Sequence, residues 1–411
     1  MTSEVKAPHM GIKWLGLVFL IALVVGTGEG QAQTVYRVEP GQDYRPILNR
    51  LQPGDELVLL PGIHEQSASF RLEGDADAPI TIRGQRDAAG NLPEVRWTRR
   101  GRNLWEIRGQ YLHIRDLVLH NPNHYAVRVG ESSHITLENV TIRDSGAGLS
   151  ANQASVHALH IRNCRFLGNR ETDLYIGVHE GNHRPGAAQI TDFLLEVTVI
   201  DGSGHQPGST AQRGIQMKHD VEGTVRANFM IHTRDPCVHG FGIVDVDTGR
   251  RQVIENNILV RGGNRVILLD GGHVTVHGNL VLGGTAGGIE ARVRNLPYEA
   301  DVCDGLVITD NLIAANRGRG DLRLPSPIRN PVIRGNRIFS RAGEPGLVNL
   351  PDGPNVQENV TEEARPALLE TIEALRHVAP SNQAVRETVQ AMKSDRPQTQ
   401  EQLIALLQRL L

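Results

Sequence analysis

Lys218 and His219 stand side by side in a chain with almost no lysine. Only four occur among 411 residues: Lys6 and Lys13 near the start, Lys393 near the end, and Lys218 in the middle. Downstream lie Asp245, Asp247, Asp270, Glu290 and Arg292. These residue types suit removal of a proton beside a carboxylate. Such a step needs a base and a cation that neutralises the carboxylate and the enolate formed from it. A lysine serves as base where burial or neighbouring charge lowers its pKa. Lys218 is therefore the candidate base, with His219 or His239 as acid, Arg234 or Arg292 as neutraliser of the carboxylate, and Glu290 and Asp270 as further substrate contacts. Arg234-Asp235-Pro236-Cys237-Val238-His239 forms a second set. Arg234 could bind a carboxylate, and His239 could act as an acid or base near neutral pH. Asp245 and Asp247 are the candidate calcium ligands, although no residue pattern compels a cofactor. Asp247-Thr248-Gly249 and Asp270-Gly271-Gly272 also have turn composition, where Asp serves the backbone instead. His179-Glu180-Gly181-Asn182-His183 has the spacing of a zinc site, but Gly181, Asn182 and Pro185 speak for a loop, not the required helix.

What must position these residues is a repeat. An apolar alternation, a polar residue and a second apolar alternation recur around Asp116, Asn139, Asn163, Glu196, Asn228, Asn257, Asn279, Asn311 and Asn336. The shortest interval, 22 residues between Asn257 and Asn279, sets the size of one coil. Longer intervals are coils carrying loops, the mark of a solenoid. In His134–Ile142, Ile135 and Leu137 keep period two, as do Val140 and Ile142. The phase shift between them fits two short strands joined by a bend. An Asn at such a bend tolerates a left-handed backbone and bonds to its neighbours in adjacent coils. A further strand precedes each phrase, including Leu174–Ile176, Ile215–Met217, Ile243–Val246, Val266–Leu269 and Ile289–Ala291. Aligning their first apolar residues stacks Ile215, Ile243, Val266 and Ile289. That register puts His219, Asp247 and Asp270 in one column, and Lys218 and Arg292 in the next. The expected fold is all-β: a single-stranded right-handed parallel β-helix over residues 33–355.

Composition agrees. Aromatics make up 4% and glycines number 44, as expected of a narrow aliphatic core with many turns. A net charge of −3 gives no electrostatic case for nucleic acid. Residues 1–32 read as a secretory signal, with Lys6 and Lys13 before an apolar run from Trp14 to Val25. Export to the periplasm or beyond follows, and an uncleaved membrane anchor is the alternative. Cys164 falls in the apolar column. Cys237 and Cys303 sit in long insertions, one of which is 234–240, and could pair there. Tyr44 to Leu51 reads as a short helix capping the solenoid. Residues 356–411 read as a helical tail, broken at Pro380 and Pro397, that covers the last coil or serves docking or self-association.

The N-terminal stretch resembles polysaccharide lyases of the chondroitinase B and alginate lyase type. The matching text is Pro53-Gly54-Asp55-Glu56-Leu57-Val58-Leu59, then Pro61-Gly62-Ile63-His64, then Ala78-Pro79-Ile80-Thr81-Ile82. Leu104–Ile107 and Tyr111–Asn121 continue it. His64 stands where that family usually has an aromatic residue, and the family's "LRHG"-like phrase is absent. The likeness covers about residues 35–121. More loosely the chain is similar to alginate C5-epimerases, whose "DPH" phrase is faintly matched by Asp235, Pro236 and His239. The resemblance implies a pectate-lyase-like solenoid and an exported enzyme acting on an acidic, uronate-containing polysaccharide or oligosaccharide, by β-elimination or C5 epimerisation. The alternative is a non-catalytic β-helix that binds a glycan or a protein partner.

Overall fold

The computed structural model describes residues 33–99, 101–178, 189–202, 213–219, 221–232, 234–242, 251–292, 303–324, 328–351 and 355–411. The chain climbs through one continuous sheet of 32 strands in which the paired strands are parallel. Each middle coil contributes three strands. One ladder runs Leu174–Ile176, Ile215–Met217, Val238–Gly240, Ile267–Leu269, Ile289–Ala291 and Leu322–Arg323. A second includes Ile190–Glu196, Val221–Arg226, Gln252–Glu255 and Val274–His277. A third includes Val199–Asp201, Phe229–Ile231, Ile258–Val260 and Leu280–Leu282. Inward side chains of all three form the main core, with Ile215, Met217, Val238, Ile267 and Ile289 fully buried.

The repeated bend consists of two adjacent columns, which the sequence phrase merges into one. Asp116, Asn139, Asn163, Val197, Ala227, Asn256 and Asp310 carry positive φ and turn the chain. The residues just after them form the second column, which lies inside. In the early coils it is apolar, with Leu117 paired to Val140 and Cys164 buried. From Thr198 onward it is polar: Thr198, Asn228, Asn257, Asn279, Asn311, Asn336 and Asn359. The backbone N–H and the Nδ2 of Asn257 both donate to Asn279 Oδ1, at 3.0 and 2.9 Å, and Asn279 repeats this toward Asn311. Asn139 and Asn163 thus make the bend, whereas Asn228 and its successors form the buried ladder. Glu196 does neither and lies at the end of a strand.

A four-residue helix, α1 (Arg45–Leu48), follows the first strand. Beside it buried Tyr44 donates to Gln66 O at 2.7 Å and accepts from Trp105 Nε1 at 2.9 Å. At the other end α2 (Pro366–Ala374), α3 (Asn382–Ser394) and α4 (Gln400–Leu407) do not stop at the last coil. They lie along the flank of the third ladder. Leu368, Ile372, Val385, Val389, Leu403 and Leu407 share a second core with Phe229, Ile258, Val260, Leu282 and Phe339. Strands such as Phe229–Ile231 are consequently buried on both faces. Asn382 Nδ2 donates to Cys164 O and Val197 O at 3.0 Å each, pinning the tail well back along the solenoid.

Three further expectations change. Cys237 and Cys303 are both free and buried; each thiol contacts a backbone carbonyl instead. The stretch 234–240 is not an insertion, because Val238–Gly240 is the strand that continues the first ladder. The partner of Ile289 in that ladder is Ile267, not Val266, and Ile215 pairs with Val238, not Ile243. Ile243–Val246, Asp245, Asp247, the His179–His183 segment and the 1–32 leader lie outside the described residues. Among the described residues no helix is long and apolar enough to cross a membrane.

Candidate active site

Strand parity decides what the first ladder presents. In a three-residue strand the ends point inward and the middle residue outward. Tyr175, Gln216, His239, Leu268 and Glu290 are the middle residues, aligned in consecutive coils, with Arg323 paired to Glu290 above them. Two positions later the chain again faces outward, with Lys218, Phe241, Asp270 and Arg292. Their register follows from Phe241 N donating to Met217 O, Asp270 N to Gly240 O, and Arg292 N to Leu269 O. Lys218 and Arg292 therefore share one column, as expected. Asp270 joins that column, because the register of its coil differs by one residue. His219 falls outside both columns, on the turn, and packs edge-on against Phe241 with ring centroids 5.2 Å apart.

Lys218 and Arg292 start about three coil spacings apart, roughly 14 Å, yet their cationic heads lean toward each other. Lys218 Nζ lies 4.1 Å from the centroid of the Phe241 ring and 5.3 Å from that of Tyr175. Arg292 Nε donates to Asp270 Oδ1 at 2.6 Å. The other Asp270 oxygen accepts from His239 Nε2 at 2.8 Å. The His239 ring in turn lies 4.3 Å from Phe241. One aromatic ring thus separates a lysine on one side from a His–Asp–Arg relay on the other. Gln252 fixes the backbone behind them: its Nε2 donates to Lys218 O at 2.9 Å and its Oε1 accepts from Gly242 N at 3.1 Å. Gly177 has φ +99°, and a Cβ there would come within 2.9 Å of Lys218 Cβ. Only glycine admits Lys218 so close to the coil below.

Burial alone would raise the Asp270 carboxyl, but its bonds to His239 and Arg292 outweigh burial and hold it well below the usual carboxylate range. Burial lowers His239, and the Asp270 carboxylate only partly offsets this. His239 is thus neutral at pH 7 with its proton on Nε2, held by Asp270. Its Nδ1 is buried, has no hydrogen-bond partner among the described residues and keeps its lone pair. For Arg292, burial acts against the charge but Asp270 prevails, and its pKa is raised.

Other expected members sit elsewhere. Arg234 is exposed on the turn that enters Val238–Gly240, at the opposite end of that strand from Phe241. It does not approach Lys218 through the first ladder. Glu290 is occupied: Arg265 donates to both its oxygens, at 2.8 and 3.1 Å, and Arg323 adds a contact at 3.4 Å. Its carboxylate thus holds two arginines in place. Among the described residues no cluster of three metal-ligating side chains occurs. Tyr175, Phe241, Arg265 and Arg323 were not singled out from the sequence. The middle position of Leu-Tyr-Ile in Leu174–Ile176 was the available signal for Tyr175.

The sequence model of one family, described as right handed beta helix region, matches residues 106–360. The chain belongs to the right-handed β-helix family. No curated protein matches this β-helix protein. Among solved structures it is similar to a mannuronic acid specific polysaccharide family 6 lyase from human gut microbiota. Identity is 13%, with 89% of this chain and 100% of that chain covered and a TM-score of 0.49. It is also similar to pectate lyase Pel9A, at 14% identity, covering 86% and 87%, with a TM-score of 0.48. A third is the catalytic domain of a GH87 α-1,3-glucanase, at 10% identity, covering 76% and 64%, with a TM-score of 0.48.

Proposed function

We propose that this β-helix protein is an exported enzyme acting on an acidic, uronate-bearing polysaccharide by removing the proton beside the sugar carboxylate. The observation that carries this reading is the convergence of Lys218, Arg292 and a neutral, Asp270-held His239 around Phe241 on the outer face of the first ladder, where Lys218, His239 and Asp270 are themselves buried. Each component has a task. The Arg292 guanidinium and the Lys218 ammonium neutralise the carboxylate and the enolate that follows. Lys218 Nζ lies over two aromatic faces, an arrangement that suits an electrostatic role for it. Once a substrate reaches His239 Nδ1, which is buried as the site stands, its lone pair takes the C5 proton, while Asp270 stabilises the imidazolium formed. Tyr175, whose ring centroid lies 5.3 Å from Lys218 Nζ, would donate a proton to a departing glycosidic oxygen. Loss of that oxygen gives β-elimination; return of a proton to the other face gives C5 epimerisation.

Calcium at Asp245 and Asp247 belongs to the same proposal. Asp270 is already engaged by His239 and Arg292, so a chelator is expected to act only through the former pair. The test is to incubate the purified protein with alginate, pectate and glycosaminoglycans. Absorbance of the unsaturated uronic product reports elimination, and deuterium uptake from heavy water at C5 reports epimerisation. Lys218→Ala and His239→Gln should each lower the rate by about a hundredfold or more. A wild-type protein silent in both assays, or variants that keep the wild-type rate, would remove the reading.

A further inference from the structure

Where the third ladder ends, Arg261, Gly283, Ala315 and Ser340 form one column. Arg261 N donates to Leu282 O, Gly283 N to Ala314 O, and Ala315 N to Phe339 O. Arg317 and Arg341 follow that column within two residues, and Arg341 Nε donates to Ala315 O at 2.9 Å. Gly283 has φ +65°, and a Cβ there would come within 3.0 Å of Ile372 Cγ2. The missing side chain admits α2 against the wall. Arg376, in the 3-10 turn Leu375–His377 that ends α2, lies one turn beyond Ile372 on the same side. It thereby joins Arg261, Arg317 and Arg341. Burial lowers the pKa of both Arg261 and Arg341, and repulsion from Arg317 and Arg376 lowers both further.

Two carboxylates oppose these four guanidiniums. Glu373 accepts from Arg376 Nη1, and Glu344 accepts from Gly318 N at 3.0 Å. Two positive charges are left over. Arg261 Nε and Arg376 Nε are buried without a hydrogen-bond partner among the described residues, and an N–H left so is costly. The Arg317 side chain is exposed and makes no ion pair or hydrogen bond among the described residues. Nε and a neighbouring Nη form the edge with which arginine grips an oxyanion at two points. We infer that this arginine cluster is a binding site for a dianionic tetrahedral oxyanion, a phosphate or sulfate group, free in solution or borne by a lipid headgroup. Two surplus charges select a dianion over a single carboxylate. The site is separate from the proposed reaction, whose residues lie on the first ladder. Arg376 comes from the tail and the other three arginines from the coils, so the bound anion ties α2 to the wall.

The test titrates the full-length protein with inorganic phosphate, inorganic sulfate and, as the carboxylate control, acetate, followed by calorimetry. Phosphatidylcholine vesicles with and without phosphatidic acid supply the headgroup arm, read by co-sedimentation. Phosphate or sulfate should bind saturably and more tightly than acetate, and should raise the urea midpoint. Arg261→Gln and Arg317→Gln should each weaken binding about tenfold, the worth of one charge-assisted contact. Arg386→Gln, an exposed arginine on α3, should bind as the wild type does. Removing one of four like charges relieves repulsion, so neither cluster variant should lose stability in anion-free buffer. Co-sedimentation that needs phosphatidic acid and weakens in the same two variants, without binding of the free ions, would assign the site to a headgroup. Absence of binding to every phosphate and sulfate probe, acetate binding as tight as phosphate, or wild-type affinity in both cluster variants would overturn the inference.

Discussion

Asp270→Asn tests the relay at its centre. Asp270 is 1% exposed and receives two donors. The bond to His239 is the buried arm, with side-chain exposures of 3% and 0%. A hydrogen bond to a buried charged group contributes about 1.5–3 kcal/mol. The Arg292 arm is more open, with 37% of that side chain exposed, so screening reduces it to about 0.2–1 kcal/mol. Asparagine preserves the shape but removes the charge and turns an amide group toward one donor. The expected loss is therefore about 2–4 kcal/mol, read as a lower urea midpoint for the middle coils. The sign of its pH dependence is fixed by the depressed Asp270 carboxyl. Its stabilisation is present above the unfolded carboxyl pKa near 4 and is lost only as pH falls through the still lower folded value. The wild-type advantage over Asp270→Asn should thus be constant from pH 5 to 8 and shrink only in strong acid. Turnover should fall along with stability, because the proton on His239 is no longer held on Nε2. An Asp270→Asn protein with wild-type urea midpoint and rate at pH 7 would refute the relay.

Two further outcomes follow. Burial pushes the His232 imidazole down to about 4, with Asp173 Oδ2 only 3.8 Å away. The unfolded state takes up its proton first as pH falls below about 6.5, so stability drops between there and about pH 4, by on the order of 3 kcal/mol. Urea titrations at pH 7.5 and 4.5 should show that drop in the wild type, and His232→Gln should reduce it, leaving the share of the likewise lowered His239. Removal of residues 366–411 uncovers Phe229, Ile258, Val260 and Leu282. Each such side chain gains about 1.5–3 kcal/mol from burial, so the truncated protein should bind a hydrophobic dye and self-associate, detected by light scattering.

The solenoid was legible because its coil length recurs in the sequence, whatever the loops add. The chemistry was half legible. Lys218, His239, Asp270 and Arg292 all stood out by residue type, but their grouping depended on strands of three residues, which offer two inward positions each. Val266-Ile267-Leu268-Leu269 is apolar throughout, so it has no parity from which to read a register, and the alignment slipped by one. Val238-His239-Gly240 has one aliphatic residue, whereas Ile243–Val246 shows cleaner alternation and was the stronger strand on pattern alone. What selects Val238 is its place above Ile215 and below Ile267, a relation between coils that local alternation does not encode. The flank position of the tail was hidden for a related reason. Phe229–Ile231 and Ile258–Val260 are apolar on both sides, and a fully apolar triplet does not announce which surface covers it.

The asparagine column begins at Thr198 and ends at Asn359, in the coils whose connections vary most in length. Each side chain there fastens the backbone of one turn to the next from within, independent of what leaves or rejoins outside. Segments exported from the wall can lengthen, shorten or change composition while the rungs beneath keep step. A new specificity could therefore arise by exchanging those excursions alone, with Lys218, His239 and Arg292 staying at their posts.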